Sequence, residues 1–407
     1  MDLLGCGFNG FNQLEDVTDS QKRLPDFTKA KRVLPIKLNL PKSECSDLDK
    51  IEDVCIAWSS IFVILAEKTG NQTLYGIGNN CADEVMKIID AKHIAISSDY
   101  LVYNNCNGEL RLVNYGENRS VFQDKLLPID KSMKEENIIS NNIEQIIGGE
   151  NCFYLIDDSG TLQRMEWNKL NQCLTIPHII PLSQTVSHIS CGKEHNLLIT
   201  STNQVFSWGL SSRGQLGNGD IEEIKYPKAV EALAGLNIKQ ISAGGWHSTA
   251  VTNDGDLYVW GWNESGQLGL PCPALQGQDK STDSVAILTI PHYIEIDETI
   301  TKVSCGSRHT CILLENGNVM SCGWNKYGQL GLGDVKSKDN FSKLQDSQTT
   351  LKFLTVNIIW TVTFTTRNNK TNIYREENQV TRVVNSTDQV KTNLKLKGLK
   401  LAKMQPL

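Results

Sequence analysis

The second half of the chain alternates short β-prone apolar runs with turns rich in Gly, Asn and Asp. Between His247 and Gly261, Ser-Thr-Ala-Val-Thr is followed by Asn253-Asp254-Gly255-Asp256 and then by Leu-Tyr-Val-Trp. Two such runs around such a turn predict a β-hairpin. Asn316-Gly317-Asn318 is the same turn further on, and Ser201-Thr202-Asn203 is a weaker version before it. No apolar period of 3.6 residues runs through these stretches, so helical repeats are not expected.

The hairpin sits inside a longer unit that occurs three times. The first copy reads Ile189-Ser190-Cys191-Gly192-Lys193-Glu194-His195, then Val205-Phe206-Ser207-Trp208-Gly209, then Gly214-Gln215-Leu216-Gly217. The second begins at Ile241, with Gly244-Gly245-Trp246-His247, and ends in Gly266-Gln267-Leu268-Gly269. The third begins at Val303, with Gly306-Ser307-Arg308-His309, and ends in Gly328-Gln329-Leu330-Gly331. Gly192 and Gly244 are 52 residues apart, and Gly244 and Gly306 are 62; Gln215, Gln267 and Gln329 repeat the same two intervals. The spacing within a unit is constant and all length variation falls between units. That is the mark of a rigid supersecondary unit joined by variable loops, and a four-stranded unit of this length points to a propeller blade.

Weaker copies precede these three, around Val54–Gly78, Ile94–Gly116 and Ile146–Trp167. A half unit, Leu3 to Leu14, opens the chain with Gly-x-Asn-Gln-Leu at its end and no first part before it. Six whole units and one split unit predict an all-β, seven-bladed β-propeller. Its closing blade is shared between N-terminal strands and a divergent C-terminal segment, which leaves no open sheet edge. Residues 353–364 are the β-prone stretch available for that closure. The expected organisation is a single propeller over 1–364, with inserts at about 121–143 and 271–300. A divergent basic tail at 365–407, read as disordered, follows; residues 366–407 hold nine Lys or Arg against three acidic residues. That tail is read either as a contact for nucleic acid or an acidic partner or as a divergent end that does not pack.

Each repeated residue type has a structural reading. The Leu of Gly-Gln-Leu-Gly is expected between blades, and His195, His247 and His309 are expected to hydrogen-bond a neighbouring loop. Equivalent positions in successive blades lie on a ring and point apart, so a three-histidine metal site is not expected. Trp208 and Trp260 share a repeat position and read as packing residues. Trp262 and Trp324 fall in Gly-Trp-Asn, just after the last strand, where the chain turns towards the surface, and Trp246 fills the variable place in Gly-Gly-x-His. They are either packing residues or an aromatic partner-binding patch together with Asn263, Glu264, Arg308, Asn325, Lys326 and Tyr327, since Trp, Tyr and Arg are common interface anchors.

Composition narrows the function. The net charge of -6 provides no global field for nucleic acid or anionic membrane. No apolar run approaches a membrane span, and the opening Met1-Asp2-Leu3-Leu4-Gly5 lacks the pattern of a secretory signal. The twelve cysteines contain no Cys-x-x-Cys pair, so buried reduced thiols are expected rather than a zinc site or a disulfide scaffold. There is no phosphate loop, nucleophile–base pair or metal cluster, and no cofactor or catalytic residue is expected.

The motifs Gly-Gly-Trp-His, Gly-Trp-Asn-Glu-Ser-Gly-Gln-Leu and Gly-Trp-Asn-Lys-Tyr-Gly-Gln-Leu-Gly resemble the regulator of chromosome condensation repeat family. The resemblance implies a seven-bladed propeller. It also implies a non-enzymatic adaptor of nucleus and cytoplasm, a monomer whose protein partner is a Jumonji-type oxygenase acting on chromatin, with any chromatin contact indirect. The alternative it implies is guanine-nucleotide exchange on a small GTPase, for which the acidic 271–300 segment, with Asp279, Asp283, Glu295, Asp297 and Glu298, would be the projecting loop. A tryptophan-based light sensor of the same family pairs Trp with a following Arg. Here Trp246 is followed by His247, and the matching positions are Glu194 and Arg308.

Overall fold

The computed structural model describes residues 2–8, 31–37, 48–56, 60–67, 72–78, 86–97, 100–114, 124–126, 142–168, 173–175, 177–275, 284–344, 351–356 and 362–367. In chain order the strands begin with β1 (Asp2–Phe8) and β2 (Lys31–Lys37). The first complete sheet follows: β3 (Leu48–Ile56), β4 (Ser60–Glu67), β5 (Gln72–Gly78) and β6 (Met86–Ile89). The second holds β7 (Ala91–Ser97), β8 (Tyr100–Asn105), β9 (Leu110–Asn114) and β10 (Asp124–Leu126). The third holds β11 (Ile143–Gly148), β12 (Cys152–Asp157) and β13 (Leu162–Asn168), edged by β14 (Cys173–Leu174) and β15 (His178–Ile179). The fourth holds β16 (Val186–Cys191), β17 (His195–Thr200), β18 (Val205–Gly209) and β19 (Ile224–Ala229). The fifth holds β20 (Ile238–Ala243), β21 (His247–Thr252), β22 (Leu257–Trp262) and β23 (Ile287–Ile294). The sixth holds β24 (Ile300–Cys305), β25 (His309–Leu314), β26 (Val319–Gly323) and β27 (Lys338–Lys343). The strands β28 (Leu351–Val356) and β29 (Val362–Arg367) come last.

The last two strands do not form a sheet alone. β1 pairs antiparallel with β29, from Asp2 opposite Arg367 to Gly7 opposite Val362, and the sheet runs β2-β1-β29-β28. The described residues therefore form seven antiparallel sheets, and the seventh joins the two ends of the described chain. The expected split blade is present. β29 continues to Arg367, past the expected boundary at 364. The rest of the basic tail lies outside the described residues.

In the fourth, fifth and sixth sheets burial is greatest at the second strand and least at the outer edge. The first strands touch one another from sheet to sheet: β3 meets β7, β7 meets β11, β11 meets β16, β16 meets β20, β20 meets β24, and β24 meets β28. The second strands β12, β21 and β25 are buried at every position. A strand covered on both faces has no solvent side, so it loses the polar–apolar alternation: β12 and β25 carry apolar runs, while β21 buries His247, Ser248, Thr249 and Thr252. The fourth strands β19 and β23 are mostly half-buried or exposed. Their composition is therefore mixed, and this explains two corrections. The segments expected to be inserts each supply an outer strand: Asp124–Leu126 pairs with β9, and Ile287–Ile294, with Pro291 inside it, pairs with β22.

The core lies between sheets. Val251, Leu257, Val259 and Leu268 of the fifth sheet pack against Ile300, Val303, Ile312 and Cys322 of the sixth. Leu197, Ile199 and Val205 of the fourth meet Ile241, Ala250 and Trp260 of the fifth. Leu216, Leu268 and Leu330 are fully buried, as expected for residues between blades, and so are the thiols of Cys191 and Cys305. Polar ties join the first strands as well. Ser190 Oγ accepts a hydrogen bond from Ala243 N (2.9 Å), and Ser242 Oγ accepts one from Cys305 N (2.9 Å). This gives the repeated Ser of Ile/Val-Ser-x-Gly a role that its spacing alone did not disclose.

Candidate partner-binding face

One face of the molecule is built by the turn between first and second strands and by the loop after the third strand. In the first of these, Gly244 N donates to His247 O (2.8 Å), and Gly192 N and Gly306 N do the same to His195 O and His309 O (2.7 and 2.8 Å). The turn is so tight that the imidazole lies on the glycine. A Cβ on Gly244 would meet His247 Cε1 at 2.3 Å, and a Cβ on Gly192 would meet His195 Cε1 at 2.3 Å. The glycine is needed for the close approach of the ring, not for its own backbone angles.

Each ring is then handed to the next sheet. His195 Nε2 lies 2.8 Å from Ser248 Oγ, and His247 Nε2 lies 2.9 Å from Thr310 Oγ1. Ser248 and Thr310 also donate back to the preceding sheet, to Gln215 O (2.8 Å) and Gln267 O (2.6 Å). A hydroxyl has one proton, and it is used on the carbonyl. The histidine must therefore donate from Nε2, which assigns the neutral Nε2–H form to His195 and His247. Burial supports that state. It holds all three histidines far below the usual value, at about 3, and for His195 the neighbouring His247 adds to the effect. Trp260 Nε1 also donates to Gln215 O (2.9 Å), so this tryptophan packs and ties the seam, as the repeat position implied.

The expected patch residues divide into two groups. Asn263 and Asn325 are fully buried and hold their own loop. Asn263 Nδ2 donates to Leu270 O (3.0 Å) and Val285 O (2.9 Å), while its Oδ1 accepts from Leu268 N (2.9 Å). Asn325 Nδ2 donates to Asp334 O (3.0 Å) and Lys336 O (3.1 Å), and its Oδ1 accepts from Leu330 N (2.9 Å). With both ends of the amide used inside the fold, these two have nothing to offer a partner, and they leave the candidate set. The others lie nearer the surface. Trp246, Trp262, Arg308, Trp324 and Tyr327 are half-buried, and Glu264 and Lys326 are exposed.

Two rows of residues cross this face. Glu194, Trp246 and Arg308 precede the three histidines. Leu210, Trp262 and Trp324 lie across from them through Leu210 N to Glu194 O (2.8 Å), Trp262 N to Trp246 O (2.9 Å) and Trp324 N to Arg308 O (2.8 Å). The Trp246 and Trp262 rings meet edge to face at 5.6 Å and 87°. Trp324 and Tyr327 form a second edge-to-face pair at 5.6 Å. Lys193 Nζ stands 4.8 Å from the Trp246 ring, and Arg308 and Arg213 stand 4.8 and 5.7 Å from the Trp262 ring. Trp246 Nε1 donates to Glu194 Oε2 (3.1 Å). Lys193 and Arg213 were not among the expected site residues. Lys193 lies two residues before a repeated histidine, but nothing local indicates that Arg213, in a different unit, reaches Trp262.

At one end the strip meets a cleft of about 590 Å³ between the third and fourth sheets, lined among others by Cys152, Tyr154, Arg164, Lys193, Glu194 and Trp208. Here the repeat is broken. Gly149 N donates to Cys152 O (2.8 Å), so Cys152 stands where the fourth, fifth and sixth sheets place histidine, and its thiol cannot span the seam.

Known proteins resemble this chain over part of its length. The model of the regulator of chromosome condensation (RCC1) repeat matches residues 202–251 and 254–313, and a second model of this repeat matches 186–215, 238–267 and 300–329. RCC1 domain-containing protein 1 of Homo sapiens is 37% identical over 198 residues, covering 41% of this chain and 53% of that protein. Ultraviolet-B receptor UVR8 of Arabidopsis thaliana is 40% identical over 153 residues, covering 37% of this chain and 32% of that protein. The matched stretch thus spans about half the length of the first relative and about a third of the second. The crystal structure of Prp20p from Saccharomyces cerevisiae superposes with a TM-score of 0.68 at 16% identity, covering 93% of this chain and 94% of that one, a likeness of fold. Residues 186–329 thus match the regulator of chromosome condensation repeat, and the chain has the β-propeller fold seen in Prp20p.

Proposed function

We propose that this chain is a non-enzymatic, protein-binding propeller that serves as an adaptor for a chromatin-modifying oxygenase of the Jumonji type. On this reading it acts as a monomer in nucleus and cytoplasm, and its contact with chromatin runs through the partner. The observation that carries the binding role is the strip from Lys193 through Trp246 and Trp262 to Arg308. Half-buried indoles with cations on them, drawn from three sheets of a rigid scaffold, are what a protein interface uses as anchors. The similarity to RCC1 domain-containing protein 1 supports the choice of partner class.

Affinity purification of the tagged chain from nuclear and cytoplasmic extracts tests this reading, with a Trp246→Ala/Trp262→Ala variant beside it. Recovery of a Jumonji-type oxygenase by the wild type, and its loss with the folded variant, is the expected result. Recovery of a small GTPase alone would overturn it. So would accelerated nucleotide release from a small GTPase at substoichiometric chain, which is the exchange activity that remains the competing reading.

A further inference from the structure

The strip has a chemical bias that narrows its partner. Trp262, at the end of β22 in the fifth sheet, is approached by Arg213 from the loop after β18 in the fourth and by Arg308 from the turn before β25 in the sixth. Lys193 stands on Trp246, the indole perpendicular to Trp262. Three cations from the fourth and sixth sheets thus gather on two indoles of the fifth. Among the described residues, none of the three has a carboxylate within ion-pairing distance. The one acid inside the strip, Glu194, already accepts the Trp246 indole proton, and Glu264 lies at its flank. This local excess of positive charge sits on a chain whose net charge is -6.

Like charges held close together without a counter-ion cost free energy unless something else supplies it. The indole faces supply part, through their quadrupole, and fix the side chains in place. Arg213 Nη1 donates to Ser212 O (3.0 Å), and among the described residues neither guanidinium has a carboxylate partner, although its planar fork is matched to one. The indoles between the charges offer apolar walls, which suit a chain that alternates acidic with aromatic or aliphatic side chains. A nucleic-acid backbone is a poorer match, because Glu194 and Glu264 interrupt the positive surface and a continuous row of phosphates offers no apolar side chains to the indoles.

We propose that the strip formed by Lys193, Arg213, Trp246, Trp262 and Arg308 is a docking site for an acidic, extended segment of a partner protein. The carboxylates of that segment pair with Arg213 and Arg308, and its apolar side chains lie on the indoles. This inference rests on the binding role proposed above and gives it a partner chemistry.

The test is fluorescence anisotropy with the full chain and a short fluorescein-labelled peptide that alternates Glu with Phe. Two further probes of matched length are a peptide with Lys in place of Glu and a labelled DNA duplex. Saturable binding of the acidic peptide alone is expected. An Arg213→Glu/Arg308→Glu variant should weaken it by about tenfold or more, with an unchanged thermal midpoint as control for folding. Arg213→Lys/Arg308→Lys should keep part of the affinity, because charge is retained and the planar fork is lost. Absence of binding, equal binding of the Lys peptide, tighter binding of DNA, or indifference to charge reversal would each overturn the proposal. If charge reversal leaves recovery of the oxygenase from extracts intact, the acidic-segment inference fails while the adaptor role stands. If no oxygenase is recovered but the peptide binds through these arginines, the reverse holds.

Discussion

The seams between neighbouring sheets fall into two kinds, and the contrast shows what holds this ring together. From the fourth sheet to the fifth, and from the fifth to the sixth, an imidazole reaches across, and the hydroxyl it meets reaches back to a carbonyl. Between the third and fourth sheets the same backbone turn presents Cys152, the residue facing it in the repeat is Asn196 rather than Ser or Thr, and a cleft lies there. The apolar contacts survive the change. Cys152, Tyr154 and Ile156 still pack against Ile189, Leu198 and Trp208. Apolar packing is therefore common to both kinds of seam, and the histidine tie is an addition that closes the seam at the proposed binding face.

The largest expected effect comes from acid, which acts on the buried histidines, two of them in the tied seams. The folded values of His195, His247 and His309, about 3, lie below the ordinary 6.5, so the unfolded chain takes up protons first. Their contribution to stability is complete above pH 6.5 and is lost as pH falls from 6.5 towards 3, by up to about 1.4 kcal/mol per pH unit for each histidine. Urea unfolding between pH 7 and pH 4 should show this loss. A His247→Ala variant should lose less on acidification than the wild type.

At neutral pH, His247→Ala should cost about 3 kcal/mol, because it opens a cavity and removes the partner of Thr310. Cys152→Ala, at the untied seam, should cost about 1 kcal/mol by the same measurement, since it removes one small buried group. Equal losses would remove the distinction between the seams. Gly244→Ala should cost about 2 kcal/mol, as the methyl group would collide with the His247 ring. The smallest effect is constructive. Cys152→His with Asn196→Ser should install a tie at the third seam, where Gly149 already provides the glycine under the ring, and should raise stability by about 1 kcal/mol. Loss of stability in that double variant would mean that the cleft is not an untied seam.

Much of this was legible in the sequence. The second strand Cys152–Asp157 is buried on both faces and carries an apolar run. The turn residues and the constant interval from Gly-x-x-His to Gly-Gln-Leu-Gly are local, so they repeat wherever the unit repeats. The outer strands were not legible. Ile287–Ile294 is held by hydrogen bonds to β22 with little burial, and backbone pairing leaves no mark on side-chain type. Asn263 and Asn325 were misread for a related reason. An Asn that satisfies its own loop and an Asn that waits for a partner look the same until the neighbouring carbonyls are placed.

The amino-acid sequence by itself determined the repeating unit, the histidines as structural groups and the three tryptophans of the face, because each depends on a short stretch of chain, and the half unit at its start implied the split closing sheet. Tertiary structure alone decided which hydroxyl each imidazole meets, where the repeat leaves a cleft, and that Arg213 and Arg308 share the ring of Trp262. Those contacts join residues from different sheets, and their distances are set by how one twisted sheet packs against the next rather than by any interval along the chain.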